Sequence, residues 1–349
     1  MSEPLRNKRP RVDSNDGAFV NHPSLYFEDG NVILSCGSTL FRVHRSLLSK
    51  HSPVFRDLLE DKEDQKQHYL RECIHVALSD TGEEMEALLN VIYDGLRFDL
   101  LRLTVDTFPT LANVFRMSTK YRIGRPREEI IQRIKRDWPS DLAMHDVKFE
   151  VLRRELMQQS AFLTQAGRIV ANPQYNTAIM QNENGVIRPA SVIALLRQGG
   201  CNTPEILAPL FYALSCDTWQ FGGPAVGHHV APLAHDDIER FIAGLERLRS
   251  AHASAASHCS LMLTPSHAES CLPGVRRYWS DLAGAMLRRT GRRRQPIEEW
   301  RDAAILASQP GYFSPYAVCG GCVRSLIAGM FEIRGRLWVQ LPHFFELVQ

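Results

Sequence analysis

Cys319 and Cys322 are separated by two glycines and have the spacing of a chemically active cysteine pair. One interpretation is a thiol-redox pair, in which the start of a helix lowers the pKa of a thiol. That interpretation requires a preceding strand in a βαβ unit, and Ser314-Pro315-Tyr316 has little strand character. A second interpretation is half of a structural zinc site. The other half would come from His258, Cys259, His267 or Cys271.

The third interpretation is two free cysteines on the apolar face of the last helix, next to Val323 and Leu326. A structural zinc site usually needs a second ligand pair at a defined spacing, and a single C-x-x-C does not supply it. We therefore favour free thiols at Cys319 and Cys322, and we predict no metal and no cofactor. A zinc-stabilised or thiol-redox protein centred on this pair is the alternative.

A second cluster of chemically capable side chains comprises His228, His229, His235, Asp236 and Asp237. Asp236 begins an apolar helical stripe and forms a capping-box pattern with Glu239, so we interpret it as a helix cap. The sequence contains no H-E-x-x-H, P-loop, G-x-S-x-G or G-x-G-x-x-G motif. Together these observations predict a protein that is not an enzyme.

The composition is that of a folded chain: 349 residues, 44% hydrophobic and 23% charged, with a net charge of +2. The apolar fraction is too high and the net charge too small for a disordered protein, and the length suits two domains. No apolar run approaches the roughly 18 residues of a membrane span, and the near-neutral charge argues against direct nucleic-acid binding. Eight scattered cysteines and no visible secretory signal predict reduced thiols in an intracellular protein, in the nucleus or the cytoplasm.

The first 140 residues predict a small mixed sheet packed on helices, which is an α+β domain. Alternating β-rich residues predict a hairpin over 31–35 and 39–43 and a third strand over 74–78. Ser52-Pro53 divides the next apolar segment into two short helices, because Ser caps a helix and Pro suits its first turn. Thr81 and Glu84 predict a capping box for a helix that ends at Gly95.

Outside this domain the sequence predicts a tail and a helical region. Residues 1–21 are polar and predict a disordered tail, in which Lys8, Arg9 and Arg11 form a basic cluster of the kind that nuclear import receptors bind. A solubilising tail is the alternative. Helical stripes recur beyond residue 140 without a period-2 strand, so residues 137–349 predict a mainly α-helical domain, with 250–260 as a candidate linker.

Residues 22–136 resemble a BTB/POZ domain. The resemblance rests on Phe41-Arg42-Val43-His44-Arg45 followed by Leu48, Ser52 and Phe55. BTB domains show this F-x-V-H-(R/K)-x-x-L-x-x-x-S-x-x-F pattern after a hairpin, and the later elements fit the order of elements in the family. In residues 26–31 and 337–342 the sequence resembles the large fungal group of BTB proteins.

The resemblance implies an interaction module that commonly forms a homodimer. In several subfamilies an acidic residue before the first strand and a basic residue after the motif histidine line a charged pocket at the dimer interface. Arg45 matches the basic position, whereas Asn31 stands at the acidic position with Asp29 two residues earlier. His44 is expected to be a hydrogen-bonded packing residue. The candidate interaction residues are Asp29, Asn31, Phe41, His44, Arg45 and Phe55.

The predicted function is a non-enzymatic scaffold that self-associates and recruits an unknown protein partner. Many BTB proteins serve as cullin ubiquitin-ligase adaptors or as transcriptional co-regulators, so a cullin and a transcriptional regulator are the candidate partners. Residues 140–165 could supply the paired helices that cullin binding needs, although they carry no distinctive motif. All seven lysines lie between Lys8 and Lys148, which codon bias explains but which would also suit an adaptor that avoids its own modification.

Overall fold

The computed structural model describes residues 19–60, 68–96, 103–163, 169–171, 187–216, 230–258, 265–287 and 295–348. The chain divides into two compact units, Met1–Ile131 and Gln132–Gln349. Within the described part, no helix combines the length and the apolarity that crossing a bilayer requires. The two units are a small mixed α+β domain and a mostly helical region, so the predicted fold class is confirmed.

The first unit contains a five-stranded mixed sheet with the spatial order β1-β3-β2-β5-β4. Its β2 and β3 form the predicted antiparallel hairpin, with Gly37 in the turn at a φ of 58° that favours glycine. β2 also pairs in parallel with β5, which places β2 in the centre of the sheet. The strands are β1 Val20–Tyr26, β2 Val32–Cys36, β3 Thr39–Val43, β4 His68–Leu70 and β5 Cys73–Leu78.

The two edge strands, β1 and β4, are additions to the predicted sheet. β1 begins at Val20, so Val20 and Asn21, predicted to lie in the tail, belong to the sheet. The import candidates Lys8, Arg9 and Arg11 lie outside the described residues. Pro23 argues against a strand at this point in the sequence. β1 accommodates this proline because β1 is an edge strand, and its pairing with β3 shifts register between Asn21 and Tyr26.

Four helices pack on one face of this sheet and a fifth follows them, and local signals in the sequence mark where two of them start. Ser52 caps α2, and its Oγ accepts a hydrogen bond from the backbone N–H of Phe55 at 3.0 Å. Thr81 and Glu84 form the predicted capping box of α3, and Gly95 follows its last residue. The helices are α1 Arg45–His51, α2 Pro53–Leu59, α3 Gly82–Asp94, α4 Phe108–Lys120 and α5 Gly124–Asp137, the last of which crosses the boundary between the two units.

The core of the first unit lies between one face of the sheet and the helices. Side chains alternate along β2: Val32, Leu34 and Cys36 enter this core, whereas Ile33 faces the opposite side. On that opposite side Ile33 packs with Leu40 and Cys73 in a smaller cluster. β2 is therefore buried on both faces, as a central strand should be.

The second unit is built from helices. They are α6 Leu142–Ser160, α7 Pro189–Gln198, α8 Pro204–Ser215, α9 His235–Ser257, α10 Pro265–Leu287, α11 Pro296–Ala307, α12 Gly320–Val339 and α13 Leu341–Phe344. A short 3-10 turn, Ser314–Tyr316, precedes α12.

Two expectations for this unit were wrong. A small antiparallel hairpin, β6 Ala161–Leu163 and β7 Ile169–Ala171, follows α6 where no strand was expected. The candidate linker over 250–260 is instead helical as far as Ser257, because α9 continues through it. Its Ala-rich composition favours a helix, and the buried side chains of His252 and Ala256 stabilise that helix by packing.

A buried polar cluster links three helices of the second unit. The guanidinium of Arg334 in α12 donates to both carboxylate oxygens of Asp146 in α6, at 2.8 Å for the Nη1 bond. Its Nε donates to the carbonyl oxygen of Ile297 in α11 at 3.1 Å. Arg334 is only 3% exposed, so its charge is compensated almost entirely by these partners.

Candidate interaction site and thiol cluster

The motif residues Phe41 and Phe55 belong to the core rather than to the surface. Both are fully buried, and the ring of Phe55 stacks on that of Tyr121 with centroids 4.3 Å apart. Phe41 stacks on the ring of His22 at 4.9 Å. A partner cannot contact either phenylalanine in the folded domain, so both act as packing anchors beneath the motif surface.

His44 links the motif to the loop before β2. Its Nε2 lies 3.2 Å from the Oδ2 of Asp29, and its Nδ1 lies 2.8 Å from the hydroxyl of Tyr93. That hydroxyl also accepts the backbone N–H of His44 at 3.0 Å, so its own proton is available for Nδ1. A neutral His44 would then carry its proton on Nε2 and donate it to Asp29.

The electrostatics of this chain of contacts follow from its hydrogen bonds. The bond from His44 is the main cause that lowers the pKa of Asp29. Burial raises the pKa of Tyr93, so its hydroxyl keeps its proton at neutral pH. The ring of Phe27 stacks on Tyr93 at 4.8 Å and covers one side of it. These contacts make His44 a hydrogen-bonded packing residue that holds an exposed carboxylate in place.

Asn31 and Arg45 are also in contact, but through the backbone. The Oδ1 of Asn31 accepts the N–H of Arg45 at 2.8 Å and so satisfies one of the free donors at the start of α1. The acidic side chain next to the motif is therefore Asp29, which contacts His44, whereas Asn31 serves as a neutral cap of α1. Asp29 and Asn31 are exposed and Arg45 is half-buried, so all three are accessible to a partner.

The edge strands carry exposed apolar side chains that the sequence analysis did not identify. Val20 in β1 is 66% exposed and Tyr69 in β4 is 60% exposed. An edge strand also presents backbone donors and acceptors on its unpaired side, so it is a natural surface for association with another chain. The sequence carries no clear signal for β1, because Pro23 and the polar residues around it interrupt the pattern of a strand.

The structure brings Cys319 and Cys322 together with one of the proposed additional ligands, Cys271. The three sulfur atoms lie within 4.8 Å of one another. Cys319 caps α12 and is half-buried, whereas Cys322 and Cys271 are buried, the latter on α10. The preceding turn, Ser314–Tyr316, is a 3-10 helix, so the strand that a βαβ redox unit would need is absent at this point.

The two cysteines of the pair have opposite environments. The backbone N–H of Cys322 is the main cause that lowers the pKa of the Cys319 thiol to about 6. Burial is the main cause that raises the pKa of Cys322 to about 12. The expectation that both thiols lie on the apolar face of the last helix thus fits Cys322 but not Cys319, which lies at the polar start of that helix.

The other proposed ligands do not join this cluster in the described part of the chain. His258 is exposed, and its Nδ1 lies 3.0 Å from the carbonyl oxygen of Ser254. Cys259 and the side chain of His267 lie outside the described residues.

The His/Asp cluster around residue 235 is a structural ion-pair site where it is described. α9 begins at His235, one residue before the predicted cap, so Asp236 lies in the first turn and makes no capping bond. The buried Asp237 accepts two bonds from the guanidinium of Arg197, at 2.8 and 3.1 Å. His228 and His229 lie outside the described residues.

Comparison with known proteins adds one finding. A family model described as BTB/POZ domain matches residues 26–130, which contain the hairpin, the F-x-V-H motif and α1 to α4. The comparisons with curated proteins and with solved structures give no match. The match covers the first unit almost to its end and does not extend into the helices of the second.

Proposed function

Because residues 26–130 are a BTB/POZ domain, we propose that the protein is a non-enzymatic interaction scaffold that forms homodimers and recruits a further protein. The family match is the observation that carries this proposal, since BTB domains are protein–protein interaction modules. The helical second unit then supplies a second interaction surface, separate from the recruitment site in the BTB/POZ domain.

The exposed edge of β1 supports self-association. Val20 is largely exposed, and β1 pairs on one side only, with β3. A second copy that adds to this edge would satisfy backbone groups and bury Val20 at the same time. We therefore assign the dimer contact to β1 and the surface next to it.

Sedimentation equilibrium of the full chain tests this assignment. At micromolar concentration we expect twice the chain mass for the wild type and a shift toward the monomer for Val20→Lys, which places a charge in the contact. Val339→Lys is the matched control, because Val339 is also largely exposed but lies in the second unit, and this variant should remain dimeric. A monomeric wild type contradicts homodimerisation, and a dimeric Val20→Lys variant contradicts the assignment to β1.

The surface formed by Asp29, Asn31 and Arg45 is the proposed recruitment site. It carries the carboxylate of Asp29, which His44 contacts, and the basic residue Arg45, whose backbone N–H binds Asn31. Charged groups of this kind set partner choice more than affinity. Affinity purification from the native cell, compared between the wild type and Asp29→Lys, would show whether a cullin or chromatin proteins depend on this surface. Partners that bind both proteins equally would place recruitment elsewhere.

The distribution of lysines favours a ubiquitin-ligase adaptor among these roles. Residues 149–349 contain no lysine, so a ligase would find no acceptor there. If the protein is such an adaptor, Arg336→Lys, which adds an exposed lysine on α12, should shorten its cellular half-life in a ligase-dependent manner. If codon bias alone explains the composition, the half-life will not change.

A further inference from the structure

Three cysteine sulfurs from two helices meet in the second unit, outside the surfaces used for the proposed scaffold function. Cys319 caps α12, Cys322 lies in its first turn, and Cys271 lies in α10. All three sulfurs are within 4.8 Å of one another, and no disulfide joins them in the described part of the chain. A disulfide would use two of these thiols and leave the third without a function, so the cluster as a whole indicates a ligand for three sulfurs.

The backbone around the cluster allows this approach. A Cβ atom on Gly274 would lie 1.9 Å from the carbonyl oxygen of Tyr316, so only glycine lets the segment before α12 pack against α10 at this point. Gly274 follows Cys271 by about one helical turn. The same contact therefore brings Cys319 next to Cys271.

Ala317 lies between this contact and the start of α12. Its φ is 52°, in the left-handed region that is unfavourable for residues other than glycine. Such strain persists only where the surroundings determine the conformation, and it clusters at functional sites.

The backbone also supplies donors to two of the sulfurs. The N–H of Cys319 donates to the Sγ of Cys271 at 3.4 Å, and the N–H of Cys322 donates to the Sγ of Cys319 at 3.5 Å. Hydrogen bonds from groups that do not themselves bind the metal commonly orient its ligands. N–H groups at the start of a helix also stabilise the negative charge of a thiolate. Arg324 lies close by, since a Cβ atom on Gly320 would be 3.8 Å from its Nη1.

We propose that Cys271, Cys319 and Cys322 bind one zinc ion as three thiolates, with a fourth position open to water on the half-exposed side of Cys319. Zn–S bonds of about 2.3 Å in a tetrahedral site place two sulfurs about 3.8 Å apart, so the sulfurs need to close by at most about 1 Å. Thiolate sulfur is a soft ligand that favours zinc over magnesium or calcium. Binding releases a proton from each cysteine that is still in the thiol form and leaves all three sulfurs in their reduced state.

The proposed ion would crosslink α10 to the start of α12. Because zinc sites of this kind form only in the folded state, binding would stabilise the second unit. The proposal does not depend on the scaffold function, and its test uses the purified full chain without any partner.

The first measurement is the zinc content of the purified chain together with cobalt(II) titration. We expect about one zinc per chain, and a cobalt complex with the intense near-ultraviolet thiolate-to-metal absorption. Cys319→Ala should abolish both signals with little effect on the fold, since this side chain is half-buried. The control Cys201→Ser removes a buried cysteine that is not part of the cluster and should keep both signals.

A second measurement keeps the proposal testable if the cysteine variants fold poorly. Chelation of the wild-type chain should lower its melting temperature, and the same treatment should leave the melting temperature of Cys319→Ala unchanged. Wild-type protein without zinc and without the cobalt absorption overturns the proposal. So does a Cys319–Cys322 disulfide found by mass spectrometry of non-reduced protein that was purified with zinc present.

Discussion

The hydroxyl of Ser52 donates a hydrogen bond to the backbone carbonyl oxygen of Tyr121, 2.6 Å away and 69 residues later in the chain. The hydroxyl oxygen of Ser52 also accepts the N–H of Phe55 at the start of α2, and the ring of Phe55 stacks on Tyr121. One motif residue therefore caps its own helix and attaches that helix to the end of α4. This contact explains why the motif needs a hydroxyl at this position.

Replacing Ser52 by alanine should destabilise the first unit by about 2–4 kcal/mol. About 1 kcal/mol reflects the lost cap, and the remainder reflects the buried carbonyl oxygen of Tyr121, which loses its partner. Hydrogen exchange of peptides from residues 45–60 would measure the change. Ser46→Ala, on an exposed position of α1, should change the stability by less than about 0.5 kcal/mol. Equal effects of the two substitutions would contradict this account.

Replacing Arg334 by methionine should destabilise the second unit by about 3–5 kcal/mol, because Asp146 and the carbonyl oxygen of Ile297 lose a shared partner. Arg334→Lys should recover little of the lost stability, since an ammonium group cannot reproduce the planar hydrogen bonds of the guanidinium. Urea unfolding followed by tryptophan fluorescence reports this unit, since all five tryptophans lie in it. Arg336→Met, on an exposed position of the same helix, is the control and should be close to neutral.

Two helix glycines should respond to alanine in opposite directions. A Cβ atom on Gly244 would lie 2.0 Å from the ring of Phe345, whereas one on Gly335 meets nothing within 4 Å. Gly244→Ala should therefore cost about 1–3 kcal/mol through overpacking. Gly335→Ala should stabilise α12 by up to about 1 kcal/mol, because alanine loses less backbone entropy. The same urea experiment measures both variants, and a stabilising Gly244→Ala would show that Phe345 is free to move.

The alkylation of Cys319 in metal-free protein should follow its pKa of about 6. The thiolate is the reactive form, so the rate with iodoacetamide should rise as the pH increases through about 6 and level off above it. Cys322, with a pKa of about 12, should remain almost unreactive over the same range. Mass spectrometry of the labelled peptides separates the two residues. A midpoint for Cys319 near 8.5, the ordinary thiol value, would contradict the arrangement at the start of α12.

The elements that the sequence predicted are those whose determinants lie within a few residues of one another. The capping box of Thr81 and Glu84, the cap of Ser52 and the alternation along β2 depend on contacts between neighbours, and each is present in the structure. The BTB/POZ domain was recognised by resemblance to the family's F-x-V-H motif, whose residues Phe41 to His44 form the end of β3 and the N-cap position of α1.

Tertiary structure alone decided the contacts between distant segments. The sequence named Cys271 only as one of four possible partners of the cysteine pair, and its contact with Cys319 depends on close packing that Gly274 allows. β1 was not predicted, because an edge strand that tolerates Pro23 lacks a regular pattern. Such contacts depend on how packed helices and strands meet, and no local periodicity or propensity encodes that geometry.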